Sequence, residues 1–101
     1  MSDEKIIVQV DPDLEELIPG FLENRKLDIE KLRTALSEKD FVNLGSIGHS
    51  IKGVGGGYGF ELMSEFGANI EIAAKENNAD VIQENIDQLY QYLKCVEVEY
   101  S

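Results

Sequence analysis

The only histidine of the chain, His49, is followed one helical turn later by Lys52 and opens a stretch, His49 to Gly59, that holds five of the nine glycines. A neutral imidazole keeps one unprotonated ring nitrogen near pH 7 and is a good nucleophile there. An ammonium one turn away on a helix can neutralise a newly acquired anionic group as a point charge. The pair is therefore suited to taking up a phosphoryl group. Histidine and lysine at this spacing also occur on ordinary helix surfaces, so the pair alone does not define a site. The glycines add a second signal. Gly45, Gly48 and Gly53 fall inside a helical pattern, where each costs about 0.5–1 kcal/mol relative to alanine. A sequence that tolerates this around one histidine is keeping space there.

On a helix, at roughly 100° per residue, Phe41, Leu44, Ile47, Ile51 and Val54 gather on one side, centred about 160° away from His49. Lys52 and Gly53 lie one turn beyond His49 on its own side, and Gly45 and Gly56 share that side one turn before and two turns after it. The expected arrangement is an exposed imidazole flanked by one cation and bare backbone. Gly53, Gly45 and Gly56 would let a partner surface approach.

The elements that must hold this helix are legible around it. Asp11-Pro12 forms a helix start, with Asp as cap and Pro in the first turn, and predicts a short helix carrying Leu14, Leu17 and Ile18. Pro19-Gly20 interrupts it. A second helix is predicted from about Pro19 to Ser37, with Leu22, Ile29, Leu32 and Leu36 on one stripe and Phe21 beside it. Asp40 is positioned to cap the His49 helix, the glycine run ends that helix, and Gly59 makes the corner. Leu62, Met63, Phe66, Ile70, Ala73 and Ala74 repeat at threes and fours up to about Lys75. Asn77-Asn78 breaks the pattern. A last helix carries Ile82, Ile86, Leu89, Leu93 and Val96 and ends near Glu97, with Tyr90, Tyr92 and Tyr100 as edge packing. Residues 1–10 contain a β-branched run with no second strand to pair with, and are expected to form an extended lead-in to a domain spanning 11–101. Short connections favour antiparallel neighbours, so the expected fold is all-α, an up-down-up-down antiparallel four-helix bundle with a short N-terminal helix.

Composition narrows the function. At 101 residues the chain is one domain with room for a core that needs neither disulfide nor metal. The net charge of −11, from 20 acidic against 9 basic residues, argues against nucleic acid and anionic membranes as partners. No apolar run is long enough to span a bilayer and no basic segment precedes one, so the cytoplasm is the expected location. One His and one Cys leave the ligands of a closed zinc site missing, and Cys95 reads as a core or boundary residue. No nucleotide-binding loop of the G-x-x-x-x-G-K-[ST] type is present, and the glycine cluster follows a helix where a phosphate cradle would follow a strand. Nothing in the sequence places an Asp, Ser or Cys against His49 as an orienting partner.

His49-Ser50-Ile51-Lys52-Gly53, followed after five residues by Gly59, resembles the H-x-L-K-G-x5-G signature of histidine phosphotransfer domains, the intermediates of two-component phosphorelays. The resemblance runs from about Asp11 to Tyr100. Ile51 departs from the usual Leu, a conservative change on the buried face, and the Gly55-Gly56-Gly57 run is richer in glycine than the pattern requires.

The resemblance implies a phosphoryl carrier without kinase activity of its own. His49 would exchange the group with the aspartate of a response-regulator receiver domain, through the ring nitrogen farther from the backbone. Lys52 would stabilise the phosphohistidine, Gly53 would give the receiver room, and Gly59 would be a structural member of the signature. The receiver would bring Mg²⁺, so no cofactor is implied for this chain. Partners would be receiver domains and a hybrid histidine kinase, and a compact bundle is most simply a monomer. Two alternatives stay open: a module that docks a receiver or kinase without accepting phosphate, and a structural bundle in which the histidine is incidental.

Overall fold

The computed structural model describes residues 5–101, and the lead-in expected for residues 1–4 lies outside them. Helix α2, Phe41–Gly57, carries His49 and runs through the entire glycine triplet. Its six glycines cost about 3–6 kcal/mol relative to alanine. Propensity therefore does not explain this helix, and packing must hold it. Leu44 and Ile51 are fully buried, with Phe41, Ile47 and Val54 against the same core. At the N-terminus the Asp40 carboxylate accepts from the Asn43 N–H at 3.1 Å.

The other helices are α1, Ile18–Ser37, α3, Glu61–Lys75, and α4, Ala79–Cys95. Three connections of one design join them. Each passes through a residue in the left-handed region, Lys39 at φ 56°, Gly59 at φ 89° and Asn77 at φ 54°. The residue after it, Asp40, Phe60 or Asn78, sends its N–H back to a carbonyl of the last helical turn at 2.8–2.9 Å and begins the next helix. At the central corner, Tyr58 stacks on Phe21 at 4.4 Å and Phe60 packs on the same ring at 5.2 Å. Gly59 between them takes a backbone conformation that a side chain would strain. Each helix packs on its sequence neighbours and α1 closes on α4, around a core that includes Leu32, Ile70, Ile82 and Leu89.

The tight corner at Gly59 and Phe60 sets the register of α2 on α3. Residues equidistant from it face each other: Gly55 meets Ser64, Gly48 meets Glu71, Gly45 meets Ala74, and a Cβ on Gly67 would press on the Lys52 backbone nitrogen. At their crossing the two helices touch backbone to backbone. A Cβ on Gly48 would lie 2.8 Å from the Gly67 carbonyl oxygen, and one on Gly67 would lie 2.6 Å from the Lys52 nitrogen. The space kept by Gly48 is thus occupied by α3.

Two expectations are corrected at the termini. The short N-terminal helix is a single 3₁₀ turn, Pro12–Leu14, capped by Asp11 as its sequence requires, and Pro19 lies in the first turn of α1, where its missing N–H breaks no bond. The β-branched run has a partner after all. Strand β1, Ile6–Val10, pairs in parallel with β2, Val96–Tyr100, with Ile6 opposite Val96 and Val10 opposite Tyr100, so residues 6–10 are part of the fold. Val96 lies on the helical stripe of α4, which masks the period-two alternation of Val-Glu-Val-Glu-Tyr that begins there. The inward residues of both strands pack on the core, while Lys5 and Glu97 pair outside at 2.9 Å. Tyr92 is also buried, edge-on to Phe66 at 5.9 Å, and burial pushes the pKa of its hydroxyl up to about 12.

Substitutions in α2 and α3 test this contact. Gly48→Ala and Gly67→Ala should each destabilise the protein by about 1–3 kcal/mol, because the helices must part. Gly53→Ala, whose Cβ meets nothing within 4 Å, should stabilise it by about 0.5–1 kcal/mol. Urea unfolding of the three variants checks this ordering, and a Gly67→Ala protein as stable as wild type would contradict it.

Candidate functional site

His49 projects from α2 on the side away from Leu44 and Ile51, and its side chain is 67% exposed. The sequence leads one to expect bare backbone around it, but the structure puts a carboxylate there. Glu71, from α3, stands opposite Gly48 and therefore between His49 and Lys52. Its Oε2 lies 3.0 Å from His49 Nδ1 and its Oε1 lies 3.0 Å from Lys52 Nζ. One half-buried carboxylate thus holds both residues of the pair. A further bond fixes the helices beside it: the Ser64 hydroxyl donates to the Lys52 carbonyl at 2.8 Å.

The electrostatics follow from this geometry. The hydrogen bond from Lys52 holds the Glu71 carboxyl below the usual carboxylate range, with the charges of Lys52 and His49 acting in the same direction and partial burial opposing them. Glu71 is therefore ionised at neutral pH. An ionised carboxylate only accepts hydrogen bonds, so its partner nitrogen Nδ1 carries the ring hydrogen. In the neutral ring the lone pair is then on Nε2, the nitrogen farther from the backbone. Lys52 has three N–H donors, and Glu71 engages one of them.

The glycines of the pattern separate by position. Gly53 faces open space one turn beyond His49, as its place on the helix predicts. Gly45 and Gly56 border α3 instead, 3.6 Å from the Ala74 Cβ and the Ser64 Oγ respectively, measured from a Cβ built on each. Helical counting puts them on the side of His49, but that side includes the edge where α3 packs. Gly45 also lines an open groove of about 630 Å³, together with Phe41, Val42, Ala74, Lys75 and His49 itself. Val42 is 87% exposed at its rim.

Glu71, Gly67 and Ser64 were not singled out by the pattern around His49. Glu71 follows the core residue Ile70 and is one of several glutamates on an amphipathic helix. The signal that finds it is the corner: counting equal distances either way from Gly59 and Phe60 brings Glu71 to Gly48, between the histidine and the lysine.

The Hpt domain family model matches residues 16–97, and the chain belongs to that family. Searches of curated proteins and of solved structures returned no match. Membership gives the chain a phosphotransfer role in two-component signalling, as a carrier module as distinct from a kinase. Among the described residues, no helix is long and apolar enough to cross a membrane. Strand β1 and the outer half of β2 lie beyond the matched stretch.

Removing the lysine tests the electrostatic assignment. In Lys52→Ala the Glu71 carboxyl should titrate at higher pH than in wild type, because its main stabilising hydrogen bond is gone. Carboxyl carbon shifts followed by NMR check this. The corresponding stability is present at neutral pH and lost as pH falls through the depressed Glu71 range, and this acid-side loss should shrink in the variant.

Proposed function

We propose that His49 is the phosphoryl acceptor of a phosphorelay and exchanges the group with the aspartate of a response-regulator receiver domain, upstream of which a hybrid histidine kinase supplies it. The observation that carries this reading is the pairing of Nδ1 with Glu71, which leaves the lone pair on Nε2 of an exposed ring. Nε2 attacks the phosphorus of an aspartyl phosphate, the bond to the aspartate oxygen breaks, and the electron pair leaves with that oxygen. Lys52 directs its remaining N–H donors at the phosphoryl oxygens. A receiver brings the Mg²⁺ for this step, and no cofactor of this chain is required.

The four helices are read as an up-down-up-down antiparallel bundle, in agreement with the facing pairs of α2 and α3 and with the Asn69–Asn85 and Phe66–Tyr92 contacts of α3 and α4. The functional unit comprises residues 11–101 together with the paired strand β1. The docking face combines the groove beside His49, kept open by Gly45, with the open surface at Gly53 and the exposed Gly56. Gly59 acts at a distance, since the corner it makes sets the register of Glu71. A docking module that carried no phosphate would not require the ring to be held in one tautomer.

Incubation with phosphorylated receiver domains and Mg²⁺ tests the assignment. Wild type should acquire acid-labile, base-stable phosphate, and His49→Gln should acquire none while keeping its helical circular dichroism. Label retained by that variant would overturn the site. Lys52→Ala should slow transfer or shorten the phosphohistidine lifetime by on the order of tenfold, without unfolding.

A further inference from the structure

Contacts between the helices close into a ring, so the α1–α4 seam lies across the bundle from the α2–α3 seam that carries His49. The α1–α4 seam holds a cleft of about 380 Å³, lined by Lys26, Ile29 and Glu30 from α1 and by Tyr90, Leu93 and Lys94 from α4. Ile29 and Leu93 are buried and make an apolar floor, and Tyr90, 46% exposed, makes a wall. Lys94 Nζ lies 5.3 Å from the centre of the Tyr90 ring, and the Arg33 guanidinium lies 5.7 Å from it. Arg33 is balanced by Asp87 at 3.1 Å, a carboxylate that also accepts from Gln83 at 3.0 Å. The two lysines have no such partner: neither Lys26 nor Lys94 forms an ion pair among the described residues.

In a chain of 20 acidic and 9 basic residues, a cleft with two lysines and one glutamate reverses the prevailing sign. Ordinary helix electrostatics accounts for neither lysine in full. Lys26 and Glu30 are four residues apart on one helix but do not pair, and their order, cation first, is the less favourable one. Lys94 is in the last turn of α4, where a cation suits the helix dipole, yet its ammonium is drawn back over Tyr90 beside the cleft. Two lysines against one glutamate leave a single net positive charge, which matches a monoanion better than a phosphate dianion. The nearby guanidinium, the group that clasps phosphate with two parallel bonds, is already paired with Asp87. The volume is at the small end of the range for ligand pockets, about 300–1,000 Å³, so a short apolar stem fits and a lipid chain does not. We propose that the α1–α4 cleft binds a small monocarboxylate on a short apolar stem. The carboxylate sits between Lys26 and Lys94, and the stem lies on Ile29 and Leu93 beside Tyr90. His49, across the bundle, stays accessible when the cleft is filled.

Titration of the intact ¹⁵N-labelled protein with 4-phenylbutyrate, followed by ¹H–¹⁵N NMR, tests this site. Amide shifts should saturate with a Kd on the order of 1 mM, as expected for a ligand of this size. They should centre on Lys26, Ile29, Glu30, Tyr90, Leu93 and Lys94 and leave His49 unmoved. The double substitution Lys26→Gln and Lys94→Gln, both on exposed side chains, should keep the helical circular dichroism and weaken binding about tenfold or more. Neutral 4-phenylbutanol should bind more weakly than the carboxylate by a similar factor, and inorganic phosphate should not compete. Equal binding of the alcohol, or undiminished binding to the double variant, would overturn the role of the lysines. Phosphate binding as tight as that of 4-phenylbutyrate would overturn the choice of a carboxylate. Absence of saturable shifts at about ten times the expected Kd, or shifts confined to other residues, would overturn the site. Saturation by a Glu- and Leu-containing peptide where 4-phenylbutyrate fails would assign the cleft to a protein partner and overturn the small-molecule reading. None of these results bears on phosphotransfer at His49.

Discussion

The site depends on one steric condition, that α2 and α3 approach backbone to backbone at Gly48 and Gly67. With a Cβ at either position the helices would have to separate, since the atoms met are main-chain nitrogen and oxygen that no rotamer change can move. The approach places the Glu71 backbone beside Gly48. From there a side chain of ordinary length reaches His49 and Lys52 with its two oxygens. The cost of glycine in the middle of two helices is offset by burial of their apolar faces and is what positions the carboxylate.

The charge distribution depends on that position. On the proposed reading, a domain carrying −11 overall surrounds the phosphoryl acceptor with a generally repulsive field for its donor. Lys52 answers this locally, and Glu71 anchors Lys52 while fixing the hydrogen on the ring. The same carboxylate therefore serves the lysine and the histidine. Its burial is only partial, so little opposes its ionisation, and Lys52 holds it ionised. The strand pair at the far ends of the chain has a separate task. It packs Ile6, Val8, Val96 and Val98 onto the core, and it lies largely beyond the stretch that matches the Hpt domain family.

Much of this was legible in the sequence because helical period and turn chemistry are local. The bounds of the helices, the cap at Asp40, the corner at Gly59 and the exposed His49 all depend on residues a turn or two apart. What escaped depends on contacts between distant segments. Gly48 looks like kept space until α3 fills it, and Glu71 is one surface glutamate among several until the corner fixes the register. The β1–β2 pair joins opposite ends of the chain, and Val96 extends the stripe of α4 well enough to hide the strand that begins there. Gly45 and Gly56, on the histidine side by helical count, each border α3 for the same reason: a helix face has an edge, and a neighbour sits on it.

The ring nitrogen that carries the phosphoryl group reports most directly on the role of the Glu71 contact. Heteronuclear ³¹P–¹H and ¹⁵N spectra of the loaded protein distinguish the two positions on one histidine. With Nδ1 committed to Glu71, the phosphoryl group should be found on Nε2 of His49 alone. Phosphate on Nδ1 would mean that the Glu71 contact does not set the tautomer, and a folded protein with no phosphate on His49 would contradict the carrier reading itself.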